Sequence, residues 1–230
     1  MDSANAPLER RKLIAFTLPL AVFLLLQALA GLLPKGSQLF WLASPRFWIY
    51  PAQTFLCGGA LIWFRREYDL GAPRRLGLTI AIGLLVFGLW VAPQAWLGFP
   101  PRLEGFNPET FANQPAAYWI TVLLRFLRLV VVVPFLEEIF WRGFLLRFFI
   151  NEKFHAVPMG AFSWLSFAVV TLGFGFSHSP SDWIAAVLTG ALYNGVAYWS
   201  KSLSSCVVAH AVSNLLLGLW IMQTRQWGFW

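Results

Sequence analysis

Glu137, Glu138, Arg142, His178 and His210 are ionisable side chains in or beside segments apolar enough to enter a lipid bilayer. At bilayer depth such a group costs roughly 2.5–3.5 kcal/mol on insertion scales, so it ordinarily faces a protein interior or a wet cavity. Two adjacent carboxylates, a guanidinium and two imidazoles are the groups with which a protein moves protons and holds a water molecule. Their placement points to acid–base chemistry inside a membrane.

The run Pro134-Phe135-Leu136-Glu137-Glu138-Ile139-Phe140-Trp141-Arg142-Gly143 carries the pattern E-E-x-x-x-R. Glu138 and Arg142 stand four residues apart, share a helical face and can neutralise each other. Glu137 is turned about 100° from Glu138 and has no such match, which makes it the freer carboxylate. A carboxylate without a paired cation can serve as a general base. A plainer reading makes the pair a bundle lock and Glu137 a second satisfied polar group. Two adjacent carboxylates in a span are too costly for packing alone to explain them.

His178 closes Phe174-x-x-x-His178 and His210 opens His210-x-x-x-Asn214, each pair on one helical face. A neutral imidazole can pass a proton, orient a water or bind a metal. The Asn214 amide can donate to a developing oxyanion or to a histidine ring. Glu137, His178 and His210 also make a His₂Glu set, one of the catalytic zinc arrangements, although the spacing is not H-E-x-x-H. His155, beside Asn151, Glu152 and Lys153, reads as an exposed loop residue. Cys57 and Cys206 have no CxxC spacing and read as small buried hydrophobes.

The elements that must position these groups are membrane helices. The chain is 58% hydrophobic and 12% charged, against about 25% charged in soluble domains. Thirteen Trp and five Tyr suit interfacial belts. The net charge of +7 is concentrated beside apolar spans, at Arg10-Arg11-Lys12, Arg65-Arg66 and Arg74-Arg75. That is positive-inside anchoring, and no nucleic-acid partner is expected.

Spans are predicted over Leu13–Leu33, Phe47–Phe64, Leu76–Leu97, Val130–Ile150, Pro158–Phe176, Trp183–Trp199 and Ser204–Met222. Ala116–Leu129 carries Arg125 and Arg128 on one face, and reads either as a surface-lying amphipathic helix or as part of an eighth span. Seven spans with the N-terminus inside put Arg10, Arg11, Lys12, Arg65, Arg66, Arg74, Arg75, Arg147, Lys153 and Lys201 in the cytoplasm. Lys35, Arg46, Arg102 and Arg225 then lie outside, with Arg125 and Arg128 as an interfacial pair. In this arrangement Glu137 lies early in its span and His178 near the outer face. Arg10-Arg11-Lys12 with Ala28-Leu29-Ala30 could pass as a signal peptide, but the apolar run continues to Leu33, which favours a retained first helix. The expected fold is an all-α polytopic transmembrane bundle of seven to eight spans. It forms a single integral membrane domain over 1–230, with N-terminal spans in 1–115 and motif-bearing helices in 116–230.

The three motifs, in this order over Phe135–Asn214, resemble the CPBP family of intramembrane proteases, the type II CAAX prenyl endopeptidase or Abi group. The Trp-rich N-terminal half and the size are also similar to the CAAX-protease-related proteins that accompany exosortase sorting systems. The resemblance implies hydrolysis of a peptide bond in a membrane protein or lipidated peptide at the bilayer. The expected location is an inner (cell) membrane of a bacterium. It implies that Glu137 activates water, while Glu138 and Arg142 hold the helix and the first glutamate in place. His178 and His210 would orient the water or bind a divalent metal such as zinc, and Asn214 would stabilise the oxyanion. Two other readings compete: a non-catalytic scaffold or bacteriocin-immunity-type protein of the same fold, and a small transporter using buried Glu and His as a proton relay.

Overall fold

The computed structural model describes residues 6–34, 37–102 and 105–230, and these are helical and free of strands. Lys35 and Glu104 lie outside the described residues. Seven long helices follow one another: α1 (Ala6–Leu32), α2 (Arg46–Trp63), α3 (Leu76–Ala95), α4 (Pro115–Phe148), α5 (Trp164–Phe176), α6 (Trp183–Ser200) and α7 (Leu203–Thr224). α1, α3, α4 and α7 are long and apolar enough to cross a membrane. α2 and α6, 18 residues each, carry Gln53 and Asn194 on buried faces, which lowers their hydropathy without exposing a polar group to lipid.

The solvation pattern is that of a membrane protein. Leu25, Trp63, Trp164 and Ile184 are exposed on the outside, while Glu138, Arg142, Asn194 and His210 are buried within. Pro19, Pro51 and Pro93 sit inside α1, α2 and α3, as membrane helices tolerate when neighbouring helices re-satisfy the freed backbone groups.

Two expectations are corrected. The segment 116–129 is neither a surface helix nor a separate span. It continues into the motif helix as one 34-residue element, about 50 Å long. Arg125 and Arg128 are accordingly buried against other helices rather than displayed on a surface-lying face. Glu137 also lies more than halfway along this helix, not early in it. The helix widens into π-turns at Leu127–Val132 and Ile139–Leu145, on either side of the glutamate pair. Such widened turns recur at functional sites.

The connections gather at two ends. At one end the Ser202 and Ser204 hydroxyls donate to the Ala72 and Gly71 carbonyls at 2.8 and 2.7 Å. Arg11 pairs with Glu67 at 2.7 Å, and His155 with Glu9 at 3.2 Å. His155 is thus a half-buried tie from a connection to the start of α1, not an exposed loop residue. At the other end Arg225 pairs with Glu109 at 3.4 Å, Arg102 with Asp182 at 2.5 Å, and the Phe106 N–H donates to the Trp230 carbonyl at 3.2 Å. The ten cations assigned to the cytoplasm all fall at the first end, which supports the seven-helix orientation.

Helix packing is close where small residues allow it. A Cβ at Gly83 of α3 would stand 2.7 Å from the Ala209 carbonyl oxygen of α7 and 2.9 Å from Val212. Membrane helices associate through such contacts. Gly83→Val is expected to push these helices apart and lower stability by about 1–3 kcal/mol, read as a fall in melting temperature in detergent. Cys57 and Cys206 are both free and buried.

Candidate active site

α4, α5, α6 and α7 bring the motif residues to one region in the middle of the bundle. Their centre is Glu138, which is fully buried. Its Oε1 accepts from Arg142 Nη1 at 3.1 Å and from His210 Nδ1 at 2.8 Å. Arg142 spends its other donors on α6: Nε donates to Asn194 Oδ1 at 3.0 Å and Nη2 to the Gly190 carbonyl at 3.1 Å. The Asn194 amide in turn donates to Thr171 Oγ1 on α5 at 3.1 Å. The guanidinium also lies 4.8 Å from the Phe174 ring centroid. One cation therefore joins three helices, with its charge balanced by Glu138 and its fork filled by acceptors.

A cavity of about 160 Å³ adjoins this network. Glu137, His178, His210 and Asn214 all line it, and Glu138 does not. Among the described residues the Glu137 carboxylate makes no hydrogen bond, whereas its neighbour's Oε1 accepts two and its Oε2 is buried without a partner. His178 lies just past the C-terminal end of α5, on the turn that leads to Asp182 and its pair with Arg102. α5 has 13 residues and rises about 20 Å from the basic end, short of a hydrocarbon core of about 30 Å. The His178 ring packs against Phe174 and Trp90, at 4.9 and 5.5 Å between centroids.

The hydrogen bonds assign the histidine tautomers. His178 Nδ1 lies 2.8 Å from the Phe174 carbonyl, which can only accept. His210 Nδ1 faces the Glu138 carboxylate oxygen. Each ring thus carries its proton on Nδ1, and Nε2 is the acceptor nitrogen. The Tyr193 ring lies 5.1 Å from the His210 ring, and its hydroxyl meets Ser213 Oγ at 2.6 Å. Asn214 Nδ2 donates one hydrogen to the Leu129 carbonyl at 2.9 Å and keeps a second donor.

Proton-anchored imidazoles also occur in metal sites, where the outer ring nitrogen is held by a carboxylate or carbonyl. Here the fit stops at that point. Among the described residues no three His, Cys, Asp or Glu side chains come close enough together to hold a metal ion. Glu137, His178 and His210 share a cavity but do not form a ligand cluster.

Sequence spacing pairs Glu138 with Arg142 but gives no hint that His210 completes the trio, nor that Asn194 supports Arg142. Asn194, an amide in an otherwise apolar helix, carries the one signal that could have found it. Asn194→Leu is expected to cost about 1–3 kcal/mol by stranding Arg142 Nε and the Thr171 hydroxyl. A melting temperature indistinguishable from wild type would contradict that role.

The helices and their buried acid–imidazole centre define an integral membrane protein with a polar site at bilayer depth. Residues 119–216 match the family model Type II CAAX prenyl endopeptidase Rce1-like. That segment contains all three motifs, and it is of the CAAX/CPBP intramembrane protease family. Neither a curated protein nor a solved structure matches the chain.

Proposed function

We propose that the protein is an intramembrane endopeptidase that hydrolyses a peptide bond of a membrane-associated or lipidated protein, with water activated by Glu137. One observation carries this reading: of the two adjacent glutamates, one is fully buried and held through Oε1 by Arg142 and His210, and the other lines the cavity without a hydrogen-bond partner among the described residues.

In the proposed reaction Glu137 accepts a proton from a water in the cavity as the water oxygen attacks the scissile carbonyl carbon. The water's second hydrogen is donated to an Nε2 lone pair, of His178 or of His210, which orients it. The remaining Asn214 N–H donates to the oxyanion. Collapse of the tetrahedral intermediate breaks the C–N bond, and Glu137 returns its proton to the leaving amine. Glu138 and Arg142 act through others: they fix the His210 ring and the helix that carries Glu137.

The lining runs from the centre to Trp90, Leu217 and Phe229, toward the end opposite the basic clusters. The site therefore opens toward the non-cytoplasmic side of what we take to be a bacterial inner membrane. This differs from the cytosolic-side cleavage implied by the resemblance to CAAX enzymes, and it favours a membrane-protein or lipidated substrate presented from outside.

The experiment is cleavage of candidate membrane-protein and lipidated peptides by the protein reconstituted in vesicles, with and without chelator, alongside His178→Ala. Cleavage by wild type that survives chelation and falls in His178→Ala supports the water-orienting role. Loss on chelation, restored by zinc, would move the histidines to a metal. Cleavage unchanged in His178→Ala would remove His178 from the site.

A further inference from the structure

Arg125 and Arg128 take no part in the proposed reaction, yet both are buried in the bundle. They flank the ring of Tyr50, with guanidinium carbons 4.5 and 4.2 Å from its centroid. Arg128 donates from Nε to Gln53 Oε1 at 2.9 Å and lies over Phe23. Arg125 has no such acceptor: its Nε and Nη1 are buried without a hydrogen-bond partner. No carboxylate among the described residues pairs with either arginine. Nearby, the Trp230 ring lies 5.8 Å from the Arg125 guanidinium, and its Nε1 is also buried without an acceptor. Two adjacent cations and an indole N–H in an apolar surround lack one thing, an anion.

A place for it exists. A cavity of about 130 Å³ is lined by Arg125, Thr121, Phe47, Tyr50, Phe106 and Ile120, among others. It lies between α2 and the outer part of α4, where Ile120 is exposed to the surroundings. Arg125 stands 23 residues from Phe148, about 35 Å along the helix and beyond a hydrocarbon core of about 30 Å. The exposed Trp41 and Trp119 on the elements bordering this region mark the interfacial belt. An oxyanion native to that depth is the phosphate of a membrane lipid.

We propose that Arg125, with Arg128 behind it, forms a binding site for the phosphate of an anionic phospholipid in the leaflet opposite the basic end. The planar guanidinium offers paired N–H donors to phosphate oxygens, and the Thr121 hydroxyl adds a donor at the cavity wall. Arg125, with no carboxylate partner among the described residues, selects a headgroup with net negative charge over a zwitterionic one. The site is separate from the Glu137 cavity, about 18 Å away along the helix by the twelve-residue interval.

The test is native mass spectrometry of the full chain in detergent, titrated with dioleoyl phosphatidylglycerol, dioleoyl phosphatidylcholine or inorganic phosphate. Wild type is expected to bind phosphatidylglycerol about tenfold or more tightly over phosphatidylcholine. Arg125→Gln should abolish the preference. Thr121→Leu, which fills the cavity and leaves the cation in place, should do the same and guards against Arg125→Gln failing to fold. Equal binding of the two lipids, or a preference that persists in both variants, would overturn the proposal. So would inorganic phosphate displacing phosphatidylglycerol at matched concentration, which would make this a free-anion site. Glu104→Gln is the control for an internal counter-ion: creation of the lipid preference only in that variant would assign the arginine to Glu104 instead.

Discussion

Arg142→Leu is expected to lose about 3–5 kcal/mol, a large share of the 5–15 kcal/mol that holds a typical domain together. The loss has two sources. Glu138 would be left as a fully buried carboxylate with no cation beside it. Asn194 and the Gly190 carbonyl would lose their donors on α6. Arg142→Lys should recover part of the loss, because one ammonium restores charge but cannot reach acceptors on α4 and α6 in the fork geometry. The paired Glu138→Leu/Arg142→Leu protein should be less damaged than Arg142→Leu alone, since it buries no orphan charge. Thermal unfolding in detergent, followed by circular dichroism, measures all three. An Arg142→Leu protein within about 0.5 kcal/mol of wild type would show that the ion pair does not hold the bundle.

Glu137→Gln is expected to do the reverse, removing activity and sparing the fold. General acid–base catalysis contributes about 10²–10⁴-fold, and an amide of the same shape cannot accept the water's proton. The glutamate makes no hydrogen bond among the described residues, and it faces a cavity, so its replacement breaks no packing network. The contrast between adjacent positions is the sharper result. Glu137→Gln should melt with wild type, while Glu138→Leu should unfold early because it leaves Arg142 buried without its counter-ion.

Parts of this arrangement are legible in the sequence, for definable reasons. The Glu138–Arg142 pair follows from four-residue spacing on one helix, and the helical membrane class from composition and apolar run length. His210 reaching Glu138 is not legible, because the two residues are 72 positions apart and periodicity says nothing about which helices meet. Arg125 and Arg128 mislead for a related reason. A cation pair on an apolar helix looks the same whether its face meets headgroups or other helices, and only the neighbours, Tyr50 and Gln53, decide it. The start of α5 at Trp164 is not legible either, because residues 158–163 are apolar enough to read as part of a span.

In the proposed reaction Glu137 is the base and Glu138 is not. The most direct measurement is turnover of one cleavable membrane-protein substrate by wild type and Glu137→Gln in the same vesicles, with melting temperature taken on each sample. The expected result is unchanged melting and a rate reduced by about 10²–10⁴-fold. A Glu137→Gln protein that cleaves at the wild-type rate would contradict it.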